Sequence, residues 1–123
     1  MDNNQRGCLA EYTFATECIK RGYAVSFPLI DSSPYDCIVD TGDRLIKIQV
    51  KSTNKGFDGY HKSIHARISN AKADYTLDKV DYFAVWVDCY EGFFVFKNKG
   101  NMKAIRLSIH GKNKIFFNNF AFE

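Results

Sequence analysis

The sequence predicts a mixed α/β (α+β) domain in which a helix packs against a mixed β-sheet. An N-terminal segment has apolar residues at helical spacing, and several later segments alternate apolar with polar residues, as half-buried strands do. The 123 residues suffice for one domain with a real core, so we assign residues 1–123 to a single domain. The apolar runs are far shorter than the ~20 residues of a membrane span, and the polar N-terminus has no signal-peptide core. These features predict an intracellular protein with no membrane partner.

The first predicted element is a helix over residues 5–21, which Gly22 is suited to end. Its apolar stripe consists of Cys8, Leu9, Tyr12, Ala15, Cys18 and Ile19. Glu11 lies inside this stripe, where a carboxylate costs several kcal/mol unless it meets a cation, a metal or hydrogen-bond donors. A glutamate at the helix edge that bends outward to water is the ordinary alternative.

Short strands follow the helix. The segments "YAVSFPLI", "YDCIVD" and "RLIKIQVKS" are predicted strands at residues 23–30, 35–40 and 44–52. The residues "DTGD" between the last two predict a hairpin turn with Thr41 and Gly42 at its tip, so these strands pair antiparallel. Later strands are predicted at residues 63–69, 81–88, 92–96 and 104–109.

The third of these strands carries Lys47, Gln49 and Lys51 on its polar face. Pairing across the predicted turn places Asp36 opposite Lys47, with Gln49 as its diagonal neighbour at ~7–8 Å. A carboxylate and an amide oxygen at that spacing can share a divalent cation, with Lys51 next in the row. A turn aspartate and a solvated polar face explain each residue taken singly. Their convergence with Glu11 favours a metal-dependent nuclease site.

These segments resemble the PD-(D/E)XK nuclease superfamily through "YDCIVD", a tight turn and "IQVKS", which follow a helix with an inward glutamate. The similarity points to the glutamine-variant branch typified by a cyanobacterial group I intron homing endonuclease, and more distantly to archaeal Holliday-junction resolvases. It implies a restriction-endonuclease-like mixed β-sheet core flanked by helices. It also implies a Mg²⁺-dependent DNA endonuclease of homing or restriction type, with Mn²⁺ as a substitute ion, in the cytoplasm or nucleoid of a microbial or phage-infected cell.

The same resemblance assigns roles to individual residues. Asp36 matches the motif aspartate, Gln49 stands where the (D/E) acid is expected, Lys51 matches the motif lysine, and Glu11 matches a helix acid. The implied catalytic residues are Glu11, Asp36, Gln49 and Lys51, and the implied metal ligands are Asp36, Gln49, the Val50 backbone carbonyl and Glu11. Because glutamine removes a negative charge, a catalytically inactive nucleic-acid-binding module stays open as an alternative, as does a Holliday-junction resolvase of the same fold.

Positive charge is concentrated in two stretches, although the formal net charge is only +3. Residues 44–72 carry seven Lys or Arg and one acid, and residues 97–114 carry six Lys or Arg and no acid. This distribution suits a polyanion such as DNA, although lysine-rich loops also serve solubility alone. The predicted DNA surface comprises Lys47, Lys55, Tyr60, His61, Lys62, His65 and Arg67.

Two further expectations concern assembly and cysteine chemistry. A duplex break needs two cleavage events, so we expect a homo-oligomer, either a dimer or a tetramer, with the aromatic C-terminal stretch as a plausible contact. The four cysteines are scattered without zinc-ligand spacing, which predicts four buried, unpaired thiols in a reducing compartment.

Overall fold

The computed structural model describes residues 1–56, 63–69 and 74–123. Within these ranges the helix α1 spans Asn3–Lys20, and short 3-10 segments span Asp88–Tyr90 and Lys112–Phe116. The strands are β1 (Ala24–Ser26), β2 (Cys37–Asp40), β3 (Leu45–Thr53), β4 (Ile64–Arg67), β5 (Tyr82–Val87), β6 (Gly92–Lys97) and β7 (Ala104–Leu107).

The strands form two sheets that stack with α1 into three layers. The main sheet has the order β1-β2-β3-β5-β6, and all of its neighbours pair antiparallel except β3 and β5, which are parallel. β4 and β7 form a separate antiparallel pair. The sheet is therefore mixed, which confirms the predicted fold class.

Alternate residues of each central strand supply the two cores on opposite faces of the main sheet. On one face, Ile48 and Val50 of β3 belong to a buried cluster with Phe14 of α1. On the other face, Phe83 and Val85 of β5 belong to a cluster with residues of β4 and β7. Period-two alternation in the sequence thus places the helix over one face and the β4–β7 pair over the other.

The helix begins at a capping box that Asp2 and Gln5 form. The Gln5 N–H donates to Asp2 Oδ1 at 2.8 Å, and the Asp2 N–H donates to Gln5 Oε1 at 3.0 Å. The predicted apolar stripe is wrong in part, because the buried residues of the helix are Ala10, Phe14, Ala15 and Cys18, whereas Leu9, Tyr12 and Ile19 are exposed. The reason is that the large Phe14 ring turns inward, with its centroid 5.5 Å from that of Phe93.

The β2–β3 hairpin has a register two residues away from the predicted one. Asp40 pairs with Leu45 and Ile38 pairs with Lys47, so Asp36 does not lie opposite Lys47. Gly42 has φ +94°, and the Thr41 N–H donates to the Arg44 carbonyl at 3.2 Å. Glycine therefore occupies the first central position of the turn, as type II′ hairpins require, and the tip is Gly42–Asp43.

The aromatic C-terminal stretch completes the core of its own chain. Phe120 and Phe122 are buried in the cluster that contains Phe14, so the expectation that this stretch contacts a second copy is wrong for these two rings.

All four cysteines are free, but only Cys18 and Cys37 are buried, because Cys8 and Cys89 lie on exposed turns of helical backbone. Among the described residues, no helix is both long enough and apolar enough to cross a bilayer.

Candidate active site

Asp36 immediately precedes β2 and is fixed there by the backbone of β3. Its N–H donates to the Ile48 carbonyl at 2.8 Å, and its Oδ2 accepts the Val50 N–H at 2.8 Å. Burial raises the pKa of the Asp36 carboxyl, against the opposing effects of the Val50 N–H and the positive charge of Lys51. Strand β3 thus orients the carboxylate, and the Val50 N–H and Lys51 offset only part of the cost of burying its charge.

Glu11 reaches the same place from α1. Its half-buried side chain lies close enough to Asp36 for each carboxyl to shift the pKa of the other. Burial, followed by the negative charge of Asp36 and the shared hydrogen bond, raises the pKa of Glu11 to about 7. Two carboxylates in contact resist simultaneous ionisation, so Glu11 holds a proton near neutral pH while Asp36 accepts its hydrogen bond. We refer to Glu11 and Asp36 below as the acid pair.

Lys51 supplies a positive charge beside the acid pair. Burial lowers the pKa of its ammonium group, and the charge of Asp36 partly restores it. Lys51 Nζ lies 3.4 Å from the Tyr75 hydroxyl and 4.9 Å from the centroid of the Tyr75 ring. The ammonium is therefore held by the hydroxyl and the ring face of Tyr75, within reach of the charge of Asp36.

Gln49 and Val50 adjoin this group through the strand register. The β2–β3 register ends at the Cys37–Ile48 pair, and Asp36 bonds to the Ile48 carbonyl and the Val50 N–H, the backbone groups on either side of Gln49. Gln49 is half-buried on the same face of β3 as Lys51, because both pair with β5 residues of the second core. Val50 turns its side chain into the first core and leaves its N–H on Asp36.

The donor set fits a hard divalent cation rather than zinc. In residues 1–56, 63–69 and 74–123, no three His, Cys, Asp or Glu side chains cluster as a metal site. The two carboxylates of the acid pair have raised pKa values, so a cation between them would relieve both burial and repulsion. The remaining ligands would be neutral oxygens from Gln49, the backbone or water, which is the ligand type that Mg²⁺ prefers.

The predicted DNA-binding residues are placed unevenly. Lys47 is half-buried, and its Nζ donates to the Asp78 carbonyl, so its ammonium is held by the segment before β5. His65 and Arg67 are exposed on the outer face of β4, as predicted, and Lys55 Nζ lies 3.4 Å from the His65 carbonyl. Tyr60, His61 and Lys62 lie outside the described residues.

Two residues near the site were not found in the sequence. Tyr75 contacts Lys51 across 24 residues of chain, and it follows a segment without apolar periodicity. Asn98 is only 4% exposed, and its side-chain amide donates to three carbonyls of the segment that carries Tyr75. A single asparagine after a strand gives no sequence signal beyond that of a turn residue.

Comparison with known proteins gives the family and the fold of the chain. A family model for PD-(D/E)XK endonucleases matches residues 1–117. The bacterial homing endonuclease I-Ssp6803I superposes with a TM-score of 0.75 at 22% identity, over 95% of this chain and 89% of that one. Hjc, a Holliday junction resolvase from the archaeal hyperthermophile Archaeoglobus fulgidus, superposes with a TM-score of 0.54 at 14% identity, over 84% of each chain. No curated protein sequence matches the chain.

At these identities the two structural likenesses show a shared fold, and the family assignment comes from the match that spans nearly the whole chain. That match confirms the superfamily predicted from "YDCIVD" and "IQVKS" and supports a nuclease function. The chain belongs to the PD-(D/E)XK endonuclease family.

Proposed function

We propose that this protein is a Mg²⁺-dependent DNA endonuclease of homing or restriction type, with Mn²⁺ as an effective substitute. The observation that carries the proposal is the contact of two half-buried carboxylates, Glu11 and Asp36, beside the ammonium of Lys51. Such an arrangement is costly unless a ligand uses it, because each group has its charged form disfavoured by burial.

Each side chain has a role that follows from its position. Asp36 and Glu11 would hold the cation, and the Val50 N–H keeps the Asp36 carboxylate from rotating away. Gln49 would add a neutral oxygen, and the Val50 carbonyl is a further candidate ligand. The Lys51 ammonium would donate hydrogen bonds to the attacked phosphate or to the attacking water, where negative charge develops. A bound Mg²⁺ would supply charge neutralisation and lower the pKa of a bound water.

The DNA surface is proposed to run along the outer face of the β4–β7 pair. His65 lies opposite Arg106 in the register of this pair, and Arg67 lies opposite Ala104, with all four residues exposed. We call His65, Arg67 and Arg106 the basic ribbon. A two-stranded antiparallel ribbon fits the major groove of B-DNA, and its cations would neutralise phosphates.

The basic ribbon and the side chains of Gln49 and Lys51 lie on the same side of the main sheet. Gln49 and Lys51 pair with Phe83 and Val85, whose side chains face the core that β4 and β7 cover. A duplex that lies along the ribbon can therefore approach the acid pair from the side on which Lys51 projects. Lys47 and Lys55 flank this path and stay candidate phosphate contacts.

We further propose that the active protein is a homo-oligomer, a dimer or a tetramer, because one site cuts one strand. Exposed apolar side chains on the segment after β1 support this proposal, since Phe27 is 44% exposed, Leu29 is fully exposed and Ile30 is 66% exposed. Analytical ultracentrifugation with and without DNA measures the state directly, and a monomer in both conditions would contradict it.

The function is tested by cleavage of plasmid and of a labelled four-way junction in Mg²⁺, with EDTA as the metal-free control. Asp36→Asn and Lys51→Ala should lose at least about 100-fold in cleavage rate, as removal of a charge-stabilising group does, while DNA affinity changes little. Asp40→Asn and Lys97→Ala are matched controls, because both side chains are exposed and remain outside the site. Wild-type rates in the first two variants would refute the site.

The same assay separates the alternatives. Preference for the four-way junction over linear duplex would indicate a resolvase. DNA binding that is sensitive to salt, without cleavage in Mg²⁺ or Mn²⁺, would indicate an inactive binding module in which Gln49 has cost the site its activity.

A further inference from the structure

We propose that Tyr75 is a positioning residue for Lys51, and that Asn98 fixes the segment that carries it. This inference rests on the proposed nuclease function for its catalytic consequence, but its structural content concerns the contact of two side chains. The phenol accepts a hydrogen bond from Lys51 Nζ at 3.4 Å, and the ammonium lies over the ring at 4.9 Å from the centroid.

Tyr75 offers Lys51 a hydrogen bond from its ammonium to the phenol oxygen and a cation–π contact with the ring. A cation over an aromatic face is attracted by the ring quadrupole, and the attraction is stronger where water is excluded. Lys51 is half-buried, and its partner on the neighbouring strand β5 is the buried Val85. Without the ring, a four-carbon side chain with free rotation would not keep its ammonium beside Asp36.

The ring itself is fixed by packing. Tyr75 stacks edge-on against Phe83, with centroids 5.5 Å apart and an interplanar angle of 80°. Phe83 is fully buried in β5, the strand that pairs with β3, so the position of the ring is tied to the sheet that carries Lys51. Burial, followed by the negative charge of Asp36, raises the pKa of Tyr75 and keeps the phenol protonated.

Asn98 secures the backbone of this segment from the end of β6. Its Nδ2 donates to the carbonyls of Tyr75 at 3.1 Å, Thr76 at 3.4 Å and Val80 at 2.9 Å. Its Oδ1 accepts the Gly100 N–H at 2.9 Å. One buried amide therefore holds both ends of the 75–80 loop, and this loop presents an aromatic face to the catalytic lysine.

The contact is tested by NMR on protein with ¹³C-labelled lysine. The ε-methylene signals of Lys51, assigned by comparison with Lys51→Arg, should be displaced upfield by the ring current of Tyr75. Tyr75→Phe should retain the displacement, Tyr75→Leu should lose it, and the control Tyr12→Leu, on the exposed side of α1, should not change it. An undisplaced Lys51 signal in the wild-type protein would overturn the proposal.

The catalytic consequence is tested by single-turnover cleavage with measured DNA affinity. Tyr75→Leu should lower the rate of the chemical step by roughly 5- to 30-fold, the range of a partly buried cation–π contact, with DNA affinity unchanged. Tyr75→Phe should recover most of the loss. A loss in DNA affinity alone, or equal rates in all three proteins, would refute a positioning role. If the wild-type protein does not cleave, the proposed function fails, but the NMR comparison still decides whether Tyr75 holds Lys51.

Discussion

Replacing Glu11 by glutamine should stabilise the metal-free protein above neutral pH. Glu11 has a folded-state pKa of about 7 against an ordinary value of 4.5, so the folded state holds its proton more tightly than the unfolded state. Its protonation therefore contributes stability that is fully present below pH 4.5 and is lost as pH rises through about 7. Glutamine is neutral at every pH, and its amide can donate to Asp36 as the protonated carboxyl does.

The magnitude follows from the pKa rise, which corresponds to roughly 3.4 kcal/mol for a fully buried group. Because the Glu11 side chain is only half-buried, solvent screening reduces this value by half or more. We therefore expect Glu11→Gln to raise the free energy of unfolding by about 1–1.5 kcal/mol at pH 8 and by much less at pH 5. Asp36 is the charged group that acts on the pKa of Glu11, and it stays unchanged in this variant.

Urea unfolding in EDTA at several pH values between 5 and 8 measures this difference. Glu17→Gln is the matched control on the same helix, because ion pairs with Lys20 and Arg21 lower the pKa of Glu17. That control should lose a few tenths of a kcal/mol at pH 7, which is the opposite sign. If Glu11→Gln does not raise the free energy of unfolding at pH 8, or raises it equally at pH 5 and pH 8, the electrostatic account of the acid pair is refuted.

Adding Mg²⁺ should make the wild-type protein more stable than Glu11→Gln, which reverses their order of stability in EDTA. If Glu11 is a metal ligand, the wild-type protein gains more stability from Mg²⁺ than Glu11→Gln does, because a ligand that binds only the folded state stabilises it by mass action. Equal gains in both proteins would assign Glu11 a role outside the metal site.

Two further predictions concern the DNA surface and the loop of Tyr75. Changing Arg67 and Arg106 together to glutamine should lower the slope of log affinity against log salt by about 2, measured by fluorescence anisotropy, whereas Lys20→Gln, across the sheet on α1, should leave the slope unchanged. Asn98→Ala should lower the free energy of unfolding by about 2–4 kcal/mol, because three carbonyls lose their donor. The control Asn119→Ala, at an exposed asparagine with one side-chain bond to a carbonyl, should cost less than about 1 kcal/mol.

The β2–β3 hairpin shows why the sequence predicted the two strands correctly but not the register in which they pair. Alternation alone identified both strands and the face on which Gln49 and Lys51 lie. The register depends on which residue of the turn takes positive φ, and the prediction put Gly42 second when the structure has it first. That shift moves the partner of Lys47 from Asp36 to Ile38, and no apolar pattern records it because a shift of two residues leaves every side chain on the same face.

The helix and the 75–80 loop show a second limit. Helical spacing permitted several inward faces for α1, and the choice was made by the fit of Phe14 against Phe93 and Phe120, which lie far along the chain. Tyr75 lies in a segment without helix or strand, and hydrogen bonds from the Asn98 side chain hold this segment in place. Tertiary hydrogen bonds determine the position of irregular backbone, and such bonds leave no periodic pattern in the amino-acid sequence.

The neutral Gln49 is best understood from the charge already present around Asp36. The acid pair shares one hydrogen bond and has raised pKa values, so the fold already tolerates one incompletely ionised carboxyl there. A glutamate at position 49, between the two residues whose backbone bonds Asp36, would add a third carboxylate to a group in which Lys51 supplies the positive charge acting on Asp36. Like charges at that spacing would raise all three pKa values and destabilise the metal-free sheet. Glutamine keeps an oxygen at this position without the repulsion, at the expense of attraction for a cation. In the proposed Mg²⁺ site, the ion would have to displace the proton of Glu11.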